Sequence, residues 1–160
     1  MFTAAGWILG ILLLVFAFSK VLDRQYNPNQ SVATAQSGGS QEIVLQRNRS
    51  GHYLFDGEIN HRKVTFLVDT GATTTAIPGQ LQLELGLKAG PATSVSTANG
   101  TTTAYLTRLD QLALGGIELA QVNASIIPGM KTREVLLGMN VLKHFELVQR
   151  GNELVIREYR

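Results

Sequence analysis

The sequence predicts an all-β domain carried behind one N-terminal transmembrane helix. An uncharged apolar stretch at the start gives the helix, and short apolar runs separated by turn residues from Glu42 onward give the sheets. The third observation is an apolar strand, Val64-Thr65-Phe66-Leu67-Val68, that breaks into Asp69-Thr70-Gly71-Ala72. A carboxylate at the end of a buried strand costs free energy unless it is used or well bonded. Helix is otherwise scarce in the pattern.

Residues 1–19 read as the membrane anchor, because Trp7 to Phe18 is apolar apart from Gly10. A helix of about 20 residues spans a hydrocarbon core of about 30 Å, with Trp7 near one interface and Lys20 and Arg24 at the other. The rival is a cleaved signal peptide, for which Ala17-Phe18-Ser19 is a tolerable site, but the basic leading region is missing and the apolar stretch is long. Lys20 and Arg24 behind the segment favour a cytoplasmic domain by the positive-inside tendency. Residues 20–41 then read as a flexible linker. From Gln25 to Gln41 the chain is mostly Gln, Asn, Ser, Ala and Gly with one Pro and no charge, a composition that buries too little apolar surface to order itself. Extended, it would reach about 60 Å.

Residues 42–160 form the domain, and its elements follow in order. Ile43-Val44-Leu45 opens it, and Tyr53 to Ile59 pairs with Lys63 to Val68 around Asn60-His61-Arg62, which delivers Asp69 at a strand end. A helical turn at Leu81 to Leu85 stops at Gly86. Ala98-Asn99-Gly100-Thr101 carries Asn-Gly between strand-forming residues, a strong hairpin signal. Leu109 to Leu114 and Ile117 to Val122 pair across Gly115-Gly116, and Ala124 to Ile127 ends at Pro128-Gly129. Val135 to Leu137, a helix from Met139 to Phe145, and a hairpin from Glu146 to Ile156 turning at Gly151-Asn152 complete it.

Charge excludes little and directs less. Lys+Arg 14 against Asp+Glu 12 gives a net charge of +2, with the basic residues scattered, so nucleic-acid binding finds no support. The absence of cysteine removes disulfides, thiol catalysis and thiolate metal sites. His52, His61 and His144 lie far apart without ligand spacing, so no metal and no other cofactor is expected. Neither a Gly-x-Ser-x-Gly elbow nor a Walker-type glycine loop occurs.

Asp-Thr-Gly alone arises by chance in roughly a few of every hundred chains of this length, and as plain strand-to-turn punctuation it needs no function. Its context raises the odds: it extends through Thr73-Thr74-Thr75-Ala76-Ile77, and far downstream Val135-Leu136-Leu137-Gly138 runs into a helical segment. With these parts the chain resembles the retropepsin-like aspartic proteases, most closely the bacterial membrane-anchored members, over roughly Ile43 to Ile156.

The resemblance implies a single-lobe, closed β-barrel domain with a short C-terminal helix. It implies Asp69 as the catalytic acid, Thr70 as the lock between two loops of a dimer, Gly71 and Ala72 as the floor beneath the substrate backbone, and Thr75 as the buried hydroxyl bracing the loop. Ala98, Asn99, Gly100 and Thr101 take the place of the flap tip, and Leu136, Leu137 and Gly138 the floor under the loop. Where retroviral enzymes pair an acid with an arginine, this chain has Thr73 and Met139, which leaves no unpaired buried charge. Val95, Ala98, Ile77 and Leu137 are candidate pocket walls or plain core.

One Asp-Thr-Gly in a chain of this size supplies one carboxylate, whereas this chemistry needs two facing one water. A symmetric homodimer is the economical solution. The expected function is a membrane-tethered aspartic endopeptidase acting on protein or peptide substrates, with the anchor in a bacterial inner membrane. Against the charge rule, the resemblance puts the domain in the periplasm. The alternative is a binding module that keeps the fold and holds peptides without cutting.

Overall fold

α1 (Phe2–Tyr26) opens the chain in the computed structural model, which describes residues 2–37, 39–97 and 100–159. From Trp7 to Phe18 its side chains stand exposed, apolar on every side. It is the one helix among the described residues long and apolar enough to cross a membrane.

The stretch 20–41, expected as a flexible linker, is instead built into the fold. α1 continues to Tyr26, and β1 (Thr34–Ser37) pairs antiparallel with β2 (Ser40–Gln46). Between them Asn27 and Asn29 are buried, at 5% and 6% exposure. Apolar contact in this stretch comes from Val32, packed against the main core; the rest is held by side-chain amides that saturate backbone groups. The Asn29 amide nitrogen donates to Gln46 O (2.9 Å) and Leu54 O (2.6 Å), while its oxygen accepts from Gln46 N (2.8 Å). Thr34 Oγ1 accepts from Gly116 N at 2.6 Å. A fragment of residues 42–160 should therefore melt below one of residues 27–160. Losing these partners is expected to cost at least about 2 kcal/mol, or about 5–10 °C in Tm, and equal Tm values by circular dichroism would refute the structural role of the segment.

β3 (Leu54–Ile59) and β4 (Arg62–Val68) form the predicted hairpin, turning on Asn60 and His61 at φ 49° and 61°. Across it Phe55 opposes Phe66, with ring centroids 5.3 Å apart. After the Asp69 loop comes β5 (Thr75–Pro78), then a 3-10 turn at Gly79–Leu81 whose continuation ends at Gly86, φ 67°. β6 (Ala92–Thr97), β7 (Gly100–Leu114) and β8 (Ile117–Ile127) make a meander, and β9 (Val135–Leu137) leads into α2 (Met139–Leu142). β10 (Phe145–Arg150) and β11 (Glu153–Glu158) finish the chain as a hairpin.

The strands build two sheets. One runs β3-β4-β9-β5-β8-β7-β6, and a short pairing of β7 back onto β3, at Glu58↔Ala113 and Ile59↔Leu112, joins six of its strands into a ring. The other runs β1-β2-β11-β10. Asn29 bridges β2 of the second sheet to β3 of the first. The main core joins both, including Ile43, Leu45, Phe55, Phe66 and Leu142. A smaller cluster of Ala76, Ala104 and Ile127 packs with Val95, Met130 and Leu136 at the root of the β6–β7 hairpin.

α2 is four residues long, shorter than the expected Met139 to Phe145. Val141, Leu142 and Phe145 have helical spacing and all are buried, which explains the longer expectation. Phe145 instead starts β10 opposite Glu158, where the β11 ladder supplies backbone partners.

Candidate active site

β4 runs parallel to β9, with Val68 opposite Leu137, so the chain leaving Val68 emerges beside the end of β9. Asp69 N donates to Leu137 O at 3.2 Å, and Ala72 N turns back to Asp69 O at 3.2 Å. Within this turn Gly71 N donates to Asp69 Oδ1 at 2.9 Å. One carboxylate oxygen is thereby fixed, and Oδ2 has no hydrogen-bond partner among the described residues. Asp69 is half-buried, with Thr70 and Gly71 exposed beside it. A Cβ on Gly71 would sit 3.2 Å from Asp69 Oδ1, so glycine there leaves the carboxylate its place.

The loop rests on the segment that follows β9. Met139 N donates to Ala72 O (2.8 Å) and Asn140 N to Thr73 O (3.0 Å), while Gly138 lies so close that a Cβ would stand 2.6 Å from Thr74 C. Thr75 is fully buried beneath the loop. Its hydroxyl donates to Asn140 Oδ1 (3.0 Å) and accepts from Gly138 N (3.4 Å), and its N–H donates to the same Asn140 oxygen (2.8 Å). The Asn140 amide nitrogen then donates to Asn123 O at 2.7 Å, tying the loop to β8. Asn140 is the residue that sequence reasoning missed. Its signal was a polar side chain two positions after the floor glycine, inside an otherwise apolar helical segment.

Thr75→Val keeps the shape and removes both hydroxyl bonds, stranding the Gly138 N–H. A loss of about 1–3 kcal/mol in urea unfolding is expected, with Thr75→Ser close to wild type; equal stability of the valine variant would remove the brace.

Several expected site residues part company. Leu137 and Ile77 are buried in the main core and form no pocket wall, because their strand positions face inward between the sheets. Leu136 points the other way, into the small cluster with Val95. Gly100 pairs with Thr97 and Thr101 with Ser96 in the β6–β7 hairpin, the expected flap, while Ala98 and Asn99 lie outside the described residues. Thr73 is exposed, and Met139 packs against the main core. His52, His61 and His144 are exposed, and the described residues hold no cluster of three metal-ligating side chains. Two concavities flank Asp56 and Lys63, and neither includes Asp69. Within one chain the carboxylate lies on an open face.

An Asp-Thr-Gly-Ala loop at the end of a buried strand, seated on a Leu-Leu-Gly segment and followed by a long β-hairpin, defines a single-lobe aspartic protease fold. The sequence profile of a family described as "gag-polyprotein putative aspartyl protease" matches residues 55–144, more than half the chain. The chain belongs to this family and is a retropepsin-like aspartic protease in fold. It is similar to a retropepsin-like aspartic protease from Rickettsia conorii of known crystal structure, with TM-score 0.63 and 28% identity over 80% of this chain and 96% of that one. The uncharacterized protein in the cobV 5' region of Sinorhizobium sp is 30% identical over 96% of this chain and 72% of its own length. The uncharacterized protein RP867 of Rickettsia prowazekii (strain Madrid E) is 29% identical over 74% of this chain, which spans about half (52%) of that relative.

Proposed function

We propose that the protein is an aspartic endopeptidase anchored by α1, active as a homodimer, that hydrolyses peptide bonds through Asp69 of each copy. The observation that carries this reading is the Asp69 carboxylate itself, fixed at one oxygen by Gly71 N–H and presented on an open face. No second aspartate of the chain joins it: Asp56 is bonded to Asn27 and Thr65, Asp110 to Gln121, and Asp23 lies in α1. A second copy supplies the missing group. The exposed Thr70 beside Asp69 is then the residue that ties the two loops across the two-fold axis.

Two carboxylates a few Å apart in a poorly solvated cleft hold one proton between them. The ionised one takes a proton from water as the water attacks the scissile carbonyl carbon. The protonated one gives its proton to the carbonyl oxygen. Collapse of the resulting diol returns a proton to the leaving amine and restores the shared state. The substrate lies extended between the β6–β7 flap and the Gly71-Ala72 floor, pairing its backbone as an added strand.

Full-length protein in detergent micelles, incubated with a mixed peptide library and read by mass spectrometry, tests the reading. Internal cleavage is expected at mildly acidic pH, with a rate rising as the square of chain concentration at low concentration. It should fall on the alkaline side as the shared proton is stripped. A rate still climbing through about pH 9, or no products at any concentration, would sink the proposal in favour of a binding module.

A further inference from the structure

α1 meets the domain at a locked joint. At its last turn Asn27 N donates to Asp23 O (2.9 Å), closing the helix, while Asn48 Nδ2 donates to Tyr26 O (2.9 Å) and the Tyr26 hydroxyl bonds Glu134. One residue on, the Asn27 amide donates to Asp56 Oδ1 (2.6 Å) and its oxygen accepts from Asn29 N (2.9 Å). Asn29 is in turn bonded to Gln46 and Leu54, and its carbonyl accepts from Asp56 N at 3.1 Å. Asn48 is itself held in place, its side-chain oxygen accepting from Ser50 N and His52 N. Buried asparagines bonded on both sides leave no free swivel between helix and sheet.

This rigidity sets a height. If the bilayer takes α1 up to Lys20, the remaining six residues lift the joint about 9 Å above the interface. A domain of this size is about 35 Å across, so every point of it lies within about 45 Å of the membrane. A free linker would have added about 60 Å of reach.

We infer that the joint formed by Tyr26, Asn27, Asn29 and Asn48 is a rigid mount, and that it restricts the enzyme, among membrane-anchored proteins, to those whose cleavable segments lie in the layer next to the bilayer. The substrate class rests on the endopeptidase reading and on α1 as the anchor. The mount rests on neither catalysis nor substrate. These four are positioning residues, and none touches the Asp69 loop.

Two measurements on full-length protein in phosphatidylethanolamine–phosphatidylglycerol proteoliposomes test it. The chain has no cysteine, so Leu83→Cys, at a side chain 92% exposed, takes a single fluorophore whose distance to headgroup acceptors reports domain height. A narrow distribution is expected, broadened and shifted outward by a ten-residue Gly/Ser insertion after Tyr26, which leaves the Asn29 contacts intact. Cleavage is then compared on lipid-anchored peptides carrying the library peptide cut fastest, raised on polyproline spacers of about 3.1 Å per residue. Wild type should lose at least tenfold in rate between spacers of about 30 and about 80 Å, the insertion should restore cleavage on the longer spacers, and both should cut the soluble peptide equally. Equal cleavage at all heights by wild type, or a wild-type distance distribution as broad as that of the insertion, would overturn the inference. If neither protein cuts even the soluble peptide, the endopeptidase reading falls and takes the substrate class with it, while a narrow distance distribution would still establish the mount.

Discussion

Asp69→Asn is expected to lower peptide cleavage at least about a thousandfold, with Tm within about 2 °C of wild type. The two effects separate because the substitution is isosteric. The Asn oxygen still accepts the Gly71 N–H that Asp69 Oδ1 accepts at 2.9 Å, and the backbone bonds of Asp69 to Leu137 and Ala72 do not involve the side chain. What is lost is the capacity to take up and give back a proton. Mixing then tests whether each chain holds half a site. At a concentration where all chains are paired, a threefold excess of the variant with random pairing leaves a wild-type chain a wild-type partner about one time in four, so activity per wild-type chain should drop to about a quarter. A site complete within one chain would show no drop. Full activity in Asp69→Asn would remove the carboxylate from the chemistry altogether.

The hairpins were legible because their signals are local. Asn60-His61, Gly115-Gly116 and Gly151-Asn152 each put a residue at positive φ between two apolar runs, and the structure turns at each. The Asp69 loop and its Gly138 seat could be read for a different reason: both interrupt apolar strands with residue types that strands avoid. Three features did not show. The joint at Asn27 and Asn29 was hidden because composition counts apolar surface, and a buried asparagine earns its place through four hydrogen-bonding groups instead. Asn140 was hidden because its partners, Thr75 and Asn123, are 65 and 17 residues away. The end of α2 was hidden because helical spacing at Val141, Leu142 and Phe145 competes with a strand pairing that only the distant β11 makes available. In each case a long-range partner decided what the local pattern left open.

Gly138→Ala is expected to destabilise the protein by about 3 kcal/mol or more, the largest stability loss of any single methyl addition near the site. Backbone strain is not the cause, since Gly138 sits at φ −89° and ψ 175°, extended geometry that alanine adopts freely. Contact is the cause. The new Cβ would stand 2.6 Å from Thr74 C, 2.8 Å from Thr74 O and 2.9 Å from Ala72 O, all backbone atoms of the loop, with no flexible side chain to swing aside. Relief requires the loop to lift from its seat. Lifting it strains the Met139 N–Ala72 O and Asn140 N–Thr73 O bonds and the Thr75–Asn140 brace together. Gly71→Ala makes the instructive contrast, because its Cβ meets only the Asp69 Oδ1 at 3.2 Å. That contact should displace the carboxylate and reduce cleavage with less than about 1 kcal/mol of stability lost. Urea unfolding of both variants beside their peptidase rates distinguishes seat from site: Gly138→Ala should lose stability and activity together, Gly71→Ala activity alone. A Gly138→Ala chain that unfolds at the wild-type midpoint would show that the loop does not depend on this contact.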